Sequence, residues 1–179
     1  MALNFFDLDE KTRAMMLEEL QFDLNNKTVY LSARLNDFGI KQYPEILQQA
    51  ITTGNDASLA ANLRTGCLKA FEQRRTKKGF TNAQVPVNAH EMLAEGEFNR
   101  YYIRALCRRA IDEQSALEVY RAKEVSNPRP DSQSKLGQAV DPIALLNDLR
   151  SNIGIDTHLG LPAGPNSGLS IRLIVSNIA

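Results

Sequence analysis

The stretch NAHEMLAEGEFNRYYIRALCRRAIDEQSALEVYRAKE, residues 88–124, decides the fold that this sequence predicts. Apolar residues recur within it at three- and four-residue steps, the spacing that places side chains on one face of a helix. We therefore predict a long central helix with two stripes, around which a mostly helical module is organised. The aromatic-aliphatic stripe consists of Phe98, Tyr101, Tyr102, Ala105, Leu106 and Ala110, and the arginine stripe of Arg100, Arg104 and Arg108.

The arginine stripe has two readings, a partner surface or a solvated helix face. Arg109 lies on the same side of the helix as the aromatic-aliphatic stripe. Its guanidinium either pairs with a carboxylate at an interface or reaches water while the aliphatic part of the side chain lies along the core. Asp112 and Glu113 follow Arg108 and Arg109 by four residues, which favours ordinary pairs within the helix. The helix thus supplies six candidate interface residues: Arg100, Arg104, Arg108, Arg109, Tyr101 and Tyr102.

Length and charge limit the classes of protein that need to be considered. The 179 residues suit one domain with extensions, and a chain of this size buries a sufficient core without disulfide staples. The 21 basic and 21 acidic residues cancel, so any charged partner must be met by a local patch. Cys67 and Cys107 are the only cysteines, and we expect two reduced, buried thiols. No segment resembles a signal peptide or a membrane span, so we expect synthesis in the cytoplasm and no membrane partner.

The first forty residues predict a helix followed by a strand. Asp7 with Glu10 three residues later resembles a capping box that opens the helix. Leu3, Phe5 and Phe6 precede it, and they either staple the start of the helix or dock on a neighbour. Apolar residues then alternate with polar ones, which predicts a strand over residues 28–35 that needs a partner. We expect this strand to end at Asn36, Asp37 and Gly39.

A helical hairpin is predicted next. Pro44 suits the first position of one helix, and Asn55 or Asp56 caps a second helix that continues to Phe71. A basic cluster follows, which either touches phosphates or is a solvated helix end. Its members are Lys69, Arg74, Arg75, Lys77 and Lys78. Residues 80–87 are β-leaning but contain Pro86, which predicts an edge strand or an extended connector before the central helix at Asn88. Gly96 is a candidate break within that helix.

From Ser126 the composition shifts toward proline and polar residues, which predicts an extended arm over residues 126–179. Pro128 and Pro130 in this arm are further interface candidates. Asp141 caps a short helix over residues 142–150, and a terminal strand is predicted over 169–175. The predicted fold class is therefore mainly α (α+β): a helical-bundle body over residues 1–125, a few short strands and a long extended C-terminal arm.

Searches for catalytic patterns fail. His90 and Glu91 begin like a zinc-protease helix, but Ala94 stands where the second histidine is required. The glycine-rich segment 160–168 lacks the lysine and hydroxyl residue of a phosphate loop. Glu95 and Glu97 are two residues apart on a helix and so diverge. We expect no catalytic residue, no cofactor, no metal site and no enzymatic activity.

Four stretches of the chain resemble a family of uncharacterised bacterial and prophage-borne proteins. The likeness covers most of the chain, and the segment GLPAGPNSGLS is distinctive. In its plan of helices followed by a C-terminal arm, the chain is also similar to the head-tail connector proteins of tailed phages, in particular the adaptors that ring the portal. The stretches are VYLSARLNDFG, LAEGEFNRYYIRALCRRAI, VYRAKEVSNPRPDS and VDPIALLNDLRSNIGIDTHLGLPAGPNSGLSIRL.

This resemblance implies a virion structural protein that assembles as a homo-oligomeric ring and binds portal, neck or tail proteins. The body would sit in the ring, and the segment from Ser126 would wrap an adjacent subunit or the portal. No functional residue is carried over by motif. The β signals depart from an all-helical adaptor, so a tail-side neck protein or a capsid-decorating protein stays open, as does contact with packaged DNA. The alternative is a nucleic-acid-binding accessory protein that uses the basic cluster at residues 74–78.

Overall fold

The computed structural model describes residues 2–77, 79–128, 130–153 and 168–174. This part of the chain is mainly helical with short antiparallel strands, the α+β class that the sequence predicts. The helices are α1 (Glu10–Asn26), α2 (Asp37–Thr53), α3 (Asp56–Arg64), α4 (Ala89–Glu113), α5 (Pro130–Gln133) and α6 (Pro142–Ser151). The strands are β1 (Phe71–Thr76), β2 (Gly79–Gln84), β3 (Ala116–Arg121), β4 (Ala139–Val140) and β5 (Leu169–Ile174).

Helix α4 is the centre of the fold, with α1, α3, α6 and the strands β3 and β5 in contact with it. It runs unbroken through Gly96, so the predicted break there is wrong. Because helices and strands cover it on several sides, its aromatic stripe is buried, and so are Arg100 and Arg104 of its arginine stripe, while Arg108 is partly exposed. One core joins the apolar faces of these helices, with Leu20, Leu47, Leu63, Phe98, Leu106 and Leu146 among its members.

The strands form two separate antiparallel sheets. β1 and β2 pair only with each other, and β3 lies between β4 and β5 in a three-stranded sheet. β5 pairs with β3 along its whole length, from Ala116 opposite Ile174 to Arg121 opposite Leu169. The terminal strand is therefore confirmed, and its partner is the strand that directly follows α4.

The predicted strand over residues 28–35 is wrong. Only Leu35 makes a β-bridge, to Leu68, while the residues before it form turns and irregular chain. The side chain of Asn36 accepts a hydrogen bond from the backbone N–H of Gly39 at 2.7 Å. Asn36 is therefore the N-cap of α2, which begins seven residues earlier than the sequence predicts and contains Pro44 in its interior.

The second helix of the predicted hairpin is shorter than expected. Asn55 caps α3 as predicted, but the helix ends at Arg64, and Gly66 adopts a left-handed conformation with φ +73°. Because a left-handed residue reverses the chain direction, Arg74 and Arg75 of the basic cluster lie on β1 and Lys77 in the turn after it, and not at a helix end. The segment 80–87 supplies β2, so its prediction as a strand is confirmed.

The described residues after Ser126 return to the body, contrary to the prediction of an extended arm. β4 and β5 pair with β3, and α6 buries Leu145, Leu146 and Leu149 against the core around α4. The backbone of β3 supplies the reason, because both of its edges need hydrogen-bond partners. Within this segment, α6 begins at Pro142 after the Asp141 cap, as predicted.

The N-terminal segment also packs on its own chain. The N-cap of α1 is Asp9, whose carboxylate accepts from the backbone N–H of Thr12, and not Asp7. The ring of Phe5 lies 4.5 Å from that of Tyr102, centroid to centroid, so this segment covers the core. Both cysteines are buried and neither forms a disulfide, as expected.

Two glycine-to-alanine substitutions should have opposite effects on stability. A Cβ at Gly39 would lie 2.1 Å from the carbonyl oxygen of Cys67, whereas a Cβ at Gly96 meets nothing within 4 Å. We expect Gly39→Ala to lower the free energy of unfolding by about 1–3 kcal/mol through overpacking. Gly96→Ala should raise it by about 0.5–1 kcal/mol, because alanine favours a helix interior. Urea denaturation measures both, and equal effects would contradict the close approach at Gly39.

Candidate interaction surface

The arginine stripe of α4 points inward. Arg104 is 1% exposed and binds both oxygens of Asp23, with Nη1 2.6 Å from Oδ2 and Nη2 3.1 Å from Oδ1. Its Nε donates to Oε2 of Glu19 at 2.8 Å. Tyr101 donates its hydroxyl to Asp23, and Arg150 of α6 donates to Glu19. We call these five residues the Arg104 cluster.

The ion pairs of Glu19 and Arg104 within the Arg104 cluster favour the charged forms of both groups. Burial raises the pKa of Glu19, but hydrogen bonds and charges from Arg150 and Arg104 outweigh it, so this pKa is lowered. Burial lowers the pKa of Arg104, yet Asp23 and Glu19 raise it above its ordinary value. A buried ion cluster with matched partners is an element of the fold and leaves no charge for another molecule.

The other candidates on α4 also have partners within the chain. Arg100 donates to the carbonyl oxygens of Leu149 and Asn152, both at 3.0 Å, and so holds the end of α6. Arg108 pairs with Glu18 and Glu19 of α1, and Arg109 with Asp9 and Glu113. Tyr101 and Tyr102 are buried. The interface prediction is therefore wrong for the four buried residues, which are Arg100, Tyr101, Tyr102 and Arg104.

Arg74, Arg75 and Lys77 of the basic cluster are exposed on a two-stranded ribbon, the β1–β2 hairpin (residues 71–84). At its base, the Glu72 carboxylate accepts from Nε of Arg34 at 2.6 Å and from Nε of Arg74 at 2.7 Å. Lys69 is tied to the carbonyl oxygen of Ala33. The side chains of Arg75 and Lys77 make no hydrogen bond or ion pair with any described residue, and Lys78 lies outside the described residues.

The strand register sorts the hairpin into two faces, because directly opposed residues project to the same side. The inner face holds Glu72 opposite Ala83, the two residues of the strands that are partly covered. The outer face is open: Phe71 is 56% exposed and Phe80 is 73% exposed, with Arg75 directly opposite Phe80. The outer face consists of Phe71, Gln73, Arg75, Phe80, Asn82 and Gln84.

The hairpin region is the positive patch of a neutral chain. Residues 69–84 carry five cations and one anion, a net charge of +4, whereas the whole chain is balanced. The single anion, Glu72, is already bound by Arg34 and Arg74. An isolated two-stranded ribbon is marginally stable in water, and exposed aromatic rings next to cations are typical of binding surfaces.

A second feature is a cleft of about 420 Å³ between α3 and the start of α4. Asp56, which is 1% exposed, lines it and accepts a hydrogen bond from the backbone N–H of Leu3 through Oδ2. Its Oδ1 is buried without a hydrogen-bond partner, and burial raises the pKa of this carboxyl. We call it the Asp56 cleft; its lining is Ala2, Asp56, Ala57, Ala60, Ala61, Arg64, His90, Glu91 and Glu95.

The structure brings His90 and Glu91 to this cleft, but it does not assemble a metal site there. Among the described residues no three histidine, cysteine, aspartate or glutamate side chains are placed to hold a metal ion. Glu95 is bound by Lys123, and Glu97 lies 3.5 Å from Nε of Arg100. The two glutamates therefore have different partners, as their spacing predicts.

Sequence reasoning missed the Arg104 cluster, although a signal for it exists. Glu19 and Asp23 are four residues apart on α1, the same step that separates Arg100, Arg104 and Arg108 on α4. Acidic residues spaced by four on one helix can pair with basic residues spaced by four on a second helix that packs against it. Nothing local, however, indicates that α1 and α4 are neighbours.

Comparisons with known proteins give no relative for this chain. No protein-family model matches it, and no characterised protein or solved structure is significantly similar to it. Within the part of the chain that the structure describes, no helix is long and apolar enough to cross a membrane.

The buried carboxyl of Glu97 should make stability depend on pH. Burial raises the pKa of Glu97 from 4.5 to about 7, against the nearby charge of Arg100. The folded state therefore holds a proton that the unfolded state has released, and stability falls as the pH rises through this window and then levels off. Glu97→Gln removes this titration while it keeps the shape of the side chain.

Relative to Glu97→Gln, we expect the wild-type protein to lose roughly 3 kcal/mol of unfolding free energy as the pH rises from about 4.5 to about 7. Urea denaturation of both proteins at pH 5 and pH 8 measures this difference. All other titrating groups are common to the two proteins and cancel. Parallel pH profiles would show that Glu97 is ionised in the fold at both pH values.

Proposed function

We propose that the protein is a structural component of a tailed-phage virion, a connector at the head-tail interface that acts by binding other protein subunits and not by catalysis. In this proposal it is made in the host cytoplasm and then joins the virion as a homo-oligomeric ring between the portal and the neck or tail. The observation that carries the proposal is the uncovered outer face of the β1–β2 hairpin.

The hairpin has the reach and composition of an attachment element. Its strands are six residues long, which corresponds to roughly 20 Å of extended chain. Phe71 and Phe80 expose apolar rings that a partner would remove from water, and Arg75 lies beside them as a free donor. Aromatic and arginine side chains supply most of the binding energy at protein interfaces.

A ring requires two different surfaces on each subunit. The arginine stripe cannot be one of them, because Arg100 and Arg104 are engaged inside the subunit. The hairpin takes its place in this proposal. Pro128 is exposed and Pro130 begins the short helix α5, so this part of the chain stays available as a secondary contact. The described strands and helix after it bind their own body, which limits any wrapping of a neighbour to residues outside the described ranges.

A second candidate function is nucleic-acid binding, and the charge of the hairpin favours it. A net charge of +4 over residues 69–84 attracts phosphates, and the rings of Phe71 and Phe80 share a face with Arg75, an arrangement that suits stacking of single-stranded bases. If Arg74, Arg75 and Lys77 each met one phosphate, affinity for single-stranded DNA would fall roughly twentyfold between about 50 mM and 200 mM salt. A protein partner bound through the aromatic rings would lose less.

Replacing the outer face of the hairpin should abolish assembly. We expect Phe71→Ser, Arg75→Ser and Phe80→Ser combined to reduce incorporation into purified phage particles at least tenfold, because the partner loses its apolar and charged contacts. A matched control is Phe38→Ser with Ile143→Ser, which removes two side chains of similar exposure, 56% and 57%, elsewhere on the surface. Quantitative mass spectrometry of density-gradient particles measures incorporation, and thermal melts check the fold.

Cryo-EM of the same particles separates the possible locations. A ring at one vertex is the expected result, whereas copies spread over the shell would indicate capsid decoration. Absence of the wild-type chain from the particles would contradict the virion proposal and leave nucleic-acid binding as the leading candidate. Normal incorporation of the triple variant would contradict the role of the hairpin and leave the virion proposal standing.

A further inference from the structure

The Asp56 cleft contains an acceptor that lacks a donor. Oδ1 of Asp56 is buried and makes no hydrogen bond, although buried polar atoms in folded proteins are nearly always paired. A carboxylate oxygen in this state costs free energy until a donor reaches it. The floor beside it is made of small side chains, Ala57, Ala60 and Ala61, which leave the space into which such a donor could fit.

The charges around the Asp56 cleft favour a cationic group. Three carboxylates line it, from Asp56, Glu91 and Glu95, and Lys123 binds only the last of these. Arg64 is the one permanently charged cation in the lining and makes no ion pair with any described residue. Glu91 therefore has no ion-pair partner among the described residues, and Asp56 interacts with the charge of Lys123 without a direct ion pair. A guanidinium suits this place best, because its several donors bind carboxylate oxygens in a fixed planar geometry.

The same chain carries a guanidinium without a partner. Arg75 on the outer face of the β1–β2 hairpin contacts no carboxylate among the described residues, although the hairpin connects α3 to α4, the two helices that form the cleft. The hairpin thus does not fold back onto its own cleft. Its two exposed rings, Phe71 and Phe80, would also find apolar surface on the alanine floor.

We propose that the Asp56 cleft binds the β1–β2 hairpin of a second copy of the chain, with the Arg75 guanidinium donating to Asp56 and Glu91. This inference rests on the proposed homo-oligomeric ring and names its repeating contact. The contact joins two different surfaces, so the first subunit keeps its cleft free and the second keeps its hairpin free, and further copies can add at both ends. Such a heterologous contact closes into a ring when the rotation between subunits permits.

Charge reversal of the full-length protein tests this contact. Arg75→Glu places a carboxylate against Asp56 and Glu91, and Glu91→Arg places a cation against Arg75; each should weaken self-association at least tenfold. The two reversals combined restore opposite charges and should recover most of the association. Both side chains are exposed in the single subunit, so the fold should tolerate the changes. Sedimentation velocity over a concentration series, with nuclease-treated protein, measures the assembly constant.

The matched control reverses Lys41 and Glu45, two exposed charges on α2, by Lys41→Glu and Glu45→Arg. These variants should associate like the wild-type protein. A wild-type chain that stays monomeric would contradict the ring of the proposed function as well as the contact. An oligomer that Arg75→Glu leaves intact, or one that the double reversal fails to restore, would contradict the hairpin-cleft contact and leave the ring standing. Association that nuclease treatment abolishes would show that the hairpin binds nucleic acid.

Discussion

The contact on which the rest of the structure depends is the guanidinium of Arg104, held between Glu19 and Asp23 in the interior. It joins α1 to α4 through three hydrogen bonds, and Arg150 extends the same cluster to α6. Loss of the arginine would leave the Asp23 carboxylate buried without its cation, a change that typically costs about 3–5 kcal/mol, whereas Glu19 would keep Arg150. The central helix thus joins its neighbours by charge as well as by apolar packing, which fixes the pairing of α1, α4 and α6.

This use of arginine inside the protein determines what remains outside. Because Arg100 and Arg104 are internal and Arg108 and Arg109 are paired with α1, the arginines of α4 form no positive surface, whereas residues 69–84 carry a net charge of +4. The counterpart is the Asp56 cleft, where Oδ1 of the Asp56 carboxylate lacks a donor. A neutral chain therefore presents two surfaces of opposite character, the positive β1–β2 hairpin and the acidic Asp56 cleft. The proposed connector function rests on the hairpin, and the proposed ring contact uses both surfaces.

Strong local signals in the sequence predicted the correct elements. The periodicity of residues 98–110 gives α4, the Asp141-Pro142 pair gives the start of α6, and the alternation near residue 170 gives β5. The alternation at 28–35 misled, because four alternating pairs also fit an irregular chain that ends at a helix cap, and Asn36 supplies that cap. Local sequence patterns could not show that the arginine stripe faces the interior, because Glu19, the partner of Arg104, lies 85 residues away in the sequence. The arm was misjudged for the same reason: its strands pair with β3, a partner that composition does not reveal.

The most direct test of this account is the reactivity of individual arginines toward phenylglyoxal, followed by peptide mass spectrometry of the intact, folded protein. The account predicts that Arg75 reacts rapidly, that Arg104 reacts at least tenfold more slowly, and that the two become equal in urea. Equal rates in the folded protein would contradict the buried Arg104 cluster, and with it the argument that the hairpin is the surface left for binding.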